Sequence, residues 1–275
     1  MSNTTVRILV SVFAIPIILI LTYLGGWFFF SFVLLISLLS FYELNELSRA
    51  KGSNVNLIWG TFGISFFLTY SFLSQDNYVP FLTISVWFLI LLLIELFRNK
   101  GSALLNIGLT TFGFLFFSIS GTYLLKLREF FYSSNNFDYV EGAYLVISIL
   151  ITIWLCDTAA FFGGTKLGKH KLFPRVSPNK SWEGAIIGFV FSVLSMILLK
   201  NYLLNSLSLQ NAIYIGVIIG ILGQLGDLIE SLLKRDAGLK DSSNLIPGHG
   251  GVFDRFDSLF YSAPFIYFFI NSVPL

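Results

Sequence analysis

An unusually polar stretch runs from Ser231 to Asp257, between two apolar segments of the chain. Carboxylates, lysines, arginines and one histidine are concentrated in it, although charged residues make up only 12% of the sequence. Ionisable side chains at a membrane boundary cost free energy unless they are paired, hydrated or metal-bound, so they are functional candidates by default. Carboxylates and cations together at such a boundary suggest phosphoryl or nucleotidyl transfer, which depends mainly on positioning and charge neutralisation.

The carboxylates of this stretch can meet an acidic group of the segment before it. Asp254 and Asp257 lie three residues apart at the start of the last apolar segment and face the same way. Asp227 precedes Lys234 by seven residues on a helix, which places it roughly 10 Å deeper in the membrane. A carboxylate at that depth needs a partner, and carboxylate oxygens suit Mg²⁺ better than Zn²⁺. We predict that Asp227 and Asp254 hold Mg²⁺. Further candidate metal ligands are Asp257, Glu230 and Asp157.

Two other positions carry chemistry, each with a structural alternative. Asp157 follows a long apolar run and can be a helix-packing hydrogen-bond acceptor, a cation ligand or an anchor for the basic loop after it. Ser181 is a candidate N-cap that places Lys180 beside free backbone N–H groups, which favours anion binding. Ordinary capping and positive-inside topology explain the same two residues equally well. The G-x-x-x-x-G-K run of residues 163–169 is not a phosphate-binding loop, because His170 follows it and a helix precedes it.

Composition identifies the elements that must position these side chains. The 275 residues are 55% hydrophobic with a mean hydropathy of +0.80, outside the range of soluble domains. The pattern predicts an all-α polytopic integral membrane protein with about nine transmembrane helices. The predicted segments are 7–24, 27–44, 56–74, 79–97, 103–125, 140–162, 182–204, 209–233 and 253–271. We interpret residues 1–275 as a single membrane domain, with 1–138 mainly a scaffold and 139–275 the catalytic part.

The distribution of cations predicts the orientation. With these nine segments, 14 of the 17 Lys and Arg residues fall on one side of the membrane. Positive charge collects in cytoplasmic loops, so the amino terminus is predicted to be cytoplasmic. The polar stretch is then expected to face the cytoplasm. We predict a multi-pass protein of a bacterial-type inner membrane.

The first half offers little chemistry. Glu43, Glu46 and Arg49 are expected to form a solvated, salt-bridged helix face. Glu95 is expected either to snorkel toward the membrane surface or to pair with Arg98. The single cysteine, Cys156, lies in an apolar run and is predicted to be a small buried hydrophobe.

The polar stretch resembles the signature of the phosphatidate cytidylyltransferase family, also called CDP-diacylglycerol synthases. The resemblance rests on S-x-x-K-R, K-D, P-x-H-G-G and D-R-F-D within residues 231–257, on S-P-N-K-S-W-E-G at 177–184, and on Asp157 with the Gly-Gly that follows. Asn179 departs from many members, which have a lysine there. The resemblance implies an enzyme that joins CTP to phosphatidate, giving CDP-diacylglycerol and pyrophosphate, and requires Mg²⁺. It also implies a homodimer and a monovalent cation such as K⁺, with no nucleic acid as partner.

The predicted site combines these assignments. Predicted catalytic residues are Asp227, Asp254, Lys234, Arg235 and Asp257. Predicted substrate-binding residues are Lys180, Ser181, Lys240, Asp241, His249, Gly250, Gly251 and Arg255. His249 is interpreted as a phosphate contact or an organiser of its loop, Asp241 as a residue that orients the neighbouring lysines, and the glycines as permitting close approach to phosphate.

Two other function classes stay open at this point. A CTP-dependent kinase of polyprenols or other lipid alcohols would use similar residues. An ion or solute transporter would place its ionisable groups near the bilayer midplane, usually within inverted repeats. The D-G-x-x-A-R opening of CDP-alcohol phosphotransferases is absent from the sequence.

Overall fold

The computed structural model describes residues 3–74, 81–131, 139–243 and 245–273. Within these ranges the chain is almost entirely helical. The helices are α1 (Asn3–Leu24), α2 (Gly26–Ala50), α3 (Leu57–Leu73), α4 (Phe81–Arg98), α5 (Ala103–Glu129), α6 (Tyr139–Leu167), α7 (Trp182–Leu203), α8 (Leu209–Ile218), α9 (Gln224–Asp236) and α10 (Phe253–Ser272). A π-helical turn (Ile219–Gly223) joins α8 to α9, so that the two form one continuous rod.

The predicted apolar segments coincide with the helical rods of the described part of the chain. Residues 79 and 80 of the fourth segment lie outside that part. Six rods are long and apolar enough to cross a membrane: Thr5–Leu24, Gly26–Ala50, Ala103–Glu129, Tyr139–Leu167, Trp182–Leu203 and Leu209–Asp236. The protein is therefore an all-α integral membrane protein, as predicted, and the count of nine spans stays a prediction.

The hydropathy pattern does not predict the small β-hairpin that the described part of the chain contains. Strands β1 (Lys171–Phe173) and β2 (Ser177–Ser181) pair antiparallel between α6 and α7. Pro174 and Pro178 exclude a helix here, because proline lacks an N–H donor and clashes with the preceding helical turn. The hairpin delivers Lys180 to the start of α7.

An aromatic core joins the first half of the chain to α10. The Phe117 ring of α5 lies 5.3 Å from Phe253 and 5.5 Å from Phe260, both on α10. Phe32 of α2 contacts Phe256 at 5.7 Å between ring centroids. These edge-to-face contacts fix the first turns of α10, which carry two of the predicted catalytic carboxylates. Cys156 is 2% exposed, as predicted.

The cation-rich loops meet at one end of the bundle. Arg7 Nε donates to the Gly248 carbonyl at 2.5 Å, and Arg235 Nε donates to the Val176 carbonyl at 3.3 Å. Lys51 also pairs with Asp236. These contacts join segments that the charge pattern predicts to lie on the same side of the membrane. Which side of a membrane this end faces stays a prediction.

Candidate active site

A cavity of about 470 Å³ lies among α6, α7, α9 and α10, at the cation-rich end of the bundle. Carboxylates and cations from α6, α9, α10, the hairpin and the loop after α9 line it, and α7 contributes Gly184 and Ala185. The acids are Asp157, Asp227, Glu230, Asp241, Asp254 and Asp257. The cations are Lys180, Lys234 and Arg255. Six acids against three cations leave a formal excess of negative charge, so this cavity favours an additional cation.

One group of carboxylates faces Lys180. The Lys180 ammonium donates to Asp227 Oδ2 at 2.6 Å. Asp257 is 7% exposed and lies within electrostatic range of both Asp227 and Asp157. The Asp257 carboxylate accepts a hydrogen bond of 2.5 Å from the Ser258 N–H. Asp157 is exposed to the cavity, which favours the cation-ligand interpretation over the helix-packing one.

A second group is centred on Lys234. Its ammonium lies 2.5 Å from Glu230 Oε2 and also donates to Asp254 Oδ1. Asp254 Oδ2 accepts from Ser242 N at 3.2 Å, from Ser242 Oγ at 2.8 Å and from Gly251 N at 2.9 Å. Because Glu230 is 1% exposed, its charge depends on the lysine for compensation.

The chemistry of the acids fits a hard divalent cation. Asp157, Asp227 and Asp257 present carboxylate oxygens, the ligands that Mg²⁺ prefers, and among the described cations Lys180 pairs with one of them, Asp227. Within the described ranges, no three His, Cys, Asp or Glu side chains form a ready-made metal site. The contacts place Asp227 with Lys180 and Asp254 with Lys234, so a metal ion shared by these two carboxylates stays a prediction.

The start of α7 has the predicted cap. The Ser181 side chain accepts from the Gly184 N–H at 3.2 Å. A Cβ on Gly184 would lie 2.7 Å from the Ala160 carbonyl, so glycine permits the close crossing of α6 and α7. Lys180 therefore stands beside a helix amino terminus and at the cavity wall, a position suited to a phosphate group.

One predicted catalytic residue, Arg235, and one predicted substrate-binding residue, Lys240, lie outside the cavity lining. The Arg235 guanidinium donates to the Leu239 carbonyl at 3.0 Å as well as to Val176, so it joins the hairpin to the end of α9. Lys240 is exposed. Neither Arg235 nor Lys240 is among the residues that line the cavity in the described structure.

The P-G-H-G-G loop is held against α1. His249 Nε2 lies 3.1 Å from Ser11 Oγ, and the His249 carbonyl accepts from Arg255 Nε at 2.9 Å. Burial lowers the pKa of His249, and the charge of Arg255 lowers it further, so the ring is neutral at pH 7. A neutral ring turned toward α1 favours the loop-organiser interpretation over a phosphate contact.

Comparison with known proteins identifies the family of this chain. A family model described as the cytidylyltransferase family matches residues 5–273. The chain belongs to this family. It is 33% identical to a phosphatidate cytidylyltransferase of Haemophilus influenzae over 291 residues, covering 96% of this chain and 98% of that protein. It is 30% identical to proteins of the same name in Bacillus subtilis over 268 residues (96% of each chain) and in Staphylococcus haemolyticus over 271 residues (95% and 96%). The predicted family resemblance is confirmed.

In this cytidylyltransferase-family protein, sequence reasoning missed one buried acid, Glu43 on α2. It is 0% exposed. Its Oε1 accepts from Ser243 Oγ at 2.6 Å and from Val252 N at 2.7 Å. Its Oε2 accepts from Ser242 Oγ at 2.9 Å and from Phe253 N at 2.7 Å. One carboxylate from the first half thus holds both ends of the 242–253 segment.

The expected solvated face is correct for Glu46 and Arg49, which form an exposed ion pair at 3.0 Å, but wrong for Glu43. The Glu95–Arg98 pair forms as expected, at 3.3 Å. A signal for Glu43 is present in the sequence. Its neighbours one turn away on α2, Ser40 and Leu47, are small or apolar, so Glu43 belongs to the buried stripe of α2.

Glycine at 251 permits the contact between this loop and α2. A Cβ there would lie 1.9 Å from Ser242 Oγ and 2.5 Å from Glu43 Oε2. We expect Gly251→Ala to lower the free energy of unfolding by about 1–3 kcal/mol, the range for overpacked sites. Gly108→Ala is the control, because a Cβ at Gly108 meets nothing within 4 Å. Thermal unfolding of both variants in detergent measures the difference, and equal melting temperatures would contradict the contact.

Proposed function

We propose that the protein is a CTP:phosphatidate cytidylyltransferase, which transfers CMP from CTP to phosphatidate and releases pyrophosphate. The observation that carries the proposal is the acidic and cationic cavity at the cation-rich end of the bundle, in a chain of the cytidylyltransferase family. Relatives that align over nearly the full length carry the same activity in their names. Anionic substrates with a compensating cation match the mixed charge of this cavity.

In this reaction an oxygen of the phosphatidate phosphate attacks the α-phosphorus of CTP in line. A new bond joins that oxygen to the α-phosphorus, and the bond to the β-phosphate oxygen breaks, so that pyrophosphate leaves with the electron pair. The attacking phosphate is already ionised near pH 7, and no general base is needed. Lys180, Lys234 and Arg255 line the cavity and neutralise charge on the phosphates.

Carboxylates orient two of these cations. Asp227 holds the Lys180 ammonium, and Glu230 and Asp254 hold that of Lys234. In the proposed enzyme Asp227 and Asp254, with Asp257, Glu230 and Asp157 as further candidates, hold Mg²⁺. When bound, Mg²⁺ neutralises charge on the triphosphate of CTP. A monovalent cation such as K⁺ is a second proposed partner, because the acids outnumber the cations of the cavity.

The finer topology is part of the same proposal. We propose nine transmembrane segments, adding α3, α4 and α10 to the six rods that meet the criteria of length and hydropathy. The amino terminus and the cavity face the cytoplasm, where CTP is found, and the membrane is the bacterial inner membrane. We also propose a homodimer, as the family resemblance implies.

Labelled CTP tests the reaction. We expect label on the α-phosphate of CTP to enter lipid when purified protein is incubated in detergent with phosphatidate and Mg²⁺. Pyrophosphate should appear in equal amount, because each transfer releases one molecule. A reaction without phosphatidate is the control. Label from the γ-phosphate in lipid would instead identify a lipid kinase, and no CTP turnover in either assay would contradict both enzymes.

A further inference from the structure

Two carboxylates of different helices contact the same serine hydroxyl. Ser242 Oγ lies 2.9 Å from Glu43 Oε2 and 2.8 Å from Asp254 Oδ2. A hydroxyl has a single proton to donate, so its orientation depends on both carboxylates. The Ser242 N–H also donates to Asp254 Oδ2 at 3.2 Å. Ser242 is therefore a direct link between Glu43, outside the cavity, and Asp254, at its wall.

Glu43 also fixes the start of α10. The first N–H groups of a helix have no partner within the helix, and a negative charge near them is favourable. Val252 N and Phe253 N, the groups at this start, both donate to Glu43 at 2.7 Å. The next residue along the chain is Asp254. The position of this acid thus depends on a carboxylate that precedes it by more than 200 residues.

The part of α2 that carries Glu43 is packed into the core. The neighbours of Glu43 on α2, Phe41 and Leu44, are fully buried in the aromatic core. An amide in place of the Glu43 carboxylate would turn its NH₂ group toward one of two backbone N–H donors, because Val252 N contacts Oε1 and Phe253 N contacts Oε2. A carboxylate at this position can accept from both backbone donors at the start of α10, which a carboxamide in the same orientation cannot do.

We infer that Glu43 is a positioning residue of the cytidylyltransferase reaction, which acts through Ser242 to hold the Asp254 carboxylate in place. This inference rests on the proposed function. It assigns a role in catalysis to α2, an element of the half of the chain interpreted as scaffold. Glu43 does not line the cavity of the described structure. It therefore affects kcat without contacting the substrate.

Two neighbouring serines allow a sharp test. The hydroxyls of Ser242 and Ser243 both contact Glu43, but of these two residues only Ser242 also contacts Asp254. We expect Ser242→Ala to lower kcat about 10- to 100-fold with little change in the KM for CTP, the range for residues that orient reactive ligands. Ser243→Ala should keep a kcat close to that of the wild type. If Glu43 served only to anchor the segment, the two serine variants would behave alike.

Glu43→Gln provides the second arm, with Glu46→Gln as the control on the exposed face of α2. We expect Glu43→Gln to lower kcat at least as much as Ser242→Ala, and the double variant Glu43→Gln/Ser242→Ala to add little further loss, because both changes break one link. Glu46→Gln should have no effect. Kinetics are measured on the folded fraction from size-exclusion chromatography.

Failure of this inference and failure of the proposed function can be distinguished. Equal kcat values for Ser242→Ala and Ser243→Ala, or multiplying losses in the double variant, would overturn the positioning role. If Glu43→Gln does not fold, the serine pair still decides. A wild-type protein that fails to turn over CTP and phosphatidate would overturn the proposed function, whereas an active wild type with identical serine variants would overturn only this inference.

Discussion

Asp254→Asn is expected to lower kcat about 10³-fold and to destabilise the protein. The carboxylate accepts from Lys234 on one oxygen and from Ser242 and Gly251 on the other. An amide keeps only one acceptor, so its NH₂ group must face either an ammonium or backbone donors. The lost electrostatic contribution supplies the kinetic effect, and the unsatisfied donors cost about 1–3 kcal/mol of unfolding free energy.

Asp236→Asn is the matched control for Asp254→Asn. Asp236 ends α9 and pairs with Lys51, and its side chain is 69% exposed. Exposed ion pairs contribute little, so both kcat and melting temperature should stay close to the wild-type values. Pyrophosphate release and thermal unfolding in detergent measure the two effects. Full activity of Asp254→Asn would remove this acid from the catalytic group.

Local patterns in the sequence predict those features of the site that depend on nearby residues. Hydropathy locates the rods, because each must be apolar over its own length. Ser181 caps α7 as its position before an apolar run indicates. Asp157, Asp227 and Asp254 line one cavity because each lies toward the end of its rod that meets the cation-rich loops, as the alternation of spans already requires.

Contacts between distant parts of the chain could not be predicted in this way. Glu43 meets Ser242 across 199 residues, and hydropathy carries no information on such a pairing. The choice of partner for each lysine depends on side-chain directions around the cavity, which helix spacing alone does not determine. The π-helical turn (Ile219–Gly223) also shifts the face that α9 presents, and Ser258 Oγ donates to its Gly223 carbonyl at 2.9 Å.

The sequence pattern draws attention to the glycines at 248, 250 and 251, but it does not reveal why glycine is needed at these positions. The close approach at Gly251 is to Glu43 and Ser242, within the protein. Gly248 and Gly250 have φ values of +75° and +83°, which other residues adopt only with strain. The glycines therefore shape the loop that brings Asp254 to the cavity, and the prediction of direct phosphate contact stays untested.

Asp257→Asn is expected to lower kcat to a similar extent as Asp254→Asn. Its effect on stability should be the opposite, because we expect Asp257→Asn to stabilise the protein. Asp257 is buried beside Asp227 and Asp157, and the lysine of this group, Lys180, pairs with Asp227. Removing one of three like charges in a chelated sample relieves repulsion. We expect the melting temperature in EDTA to rise by about 2–4 °C, the shift for roughly 1 kcal/mol in a protein of this size.

Added Mg²⁺ should reverse the order of the two melting temperatures, so that the wild type melts above Asp257→Asn. An ion that binds only the folded state stabilises it more when it binds more tightly, and the wild type with three carboxylates is expected to bind Mg²⁺ more tightly than Asp257→Asn. The melting temperature of the wild type should therefore rise with Mg²⁺ concentration, while that of the variant changes less. A variant that melts below the wild type in EDTA, or that gains as much from Mg²⁺, would contradict a cation site at Asp257. The opposite signs expected for Asp254→Asn and Asp257→Asn follow from their partners, since one carboxylate is held by a lysine and hydrogen-bond donors and the other faces two carboxylates.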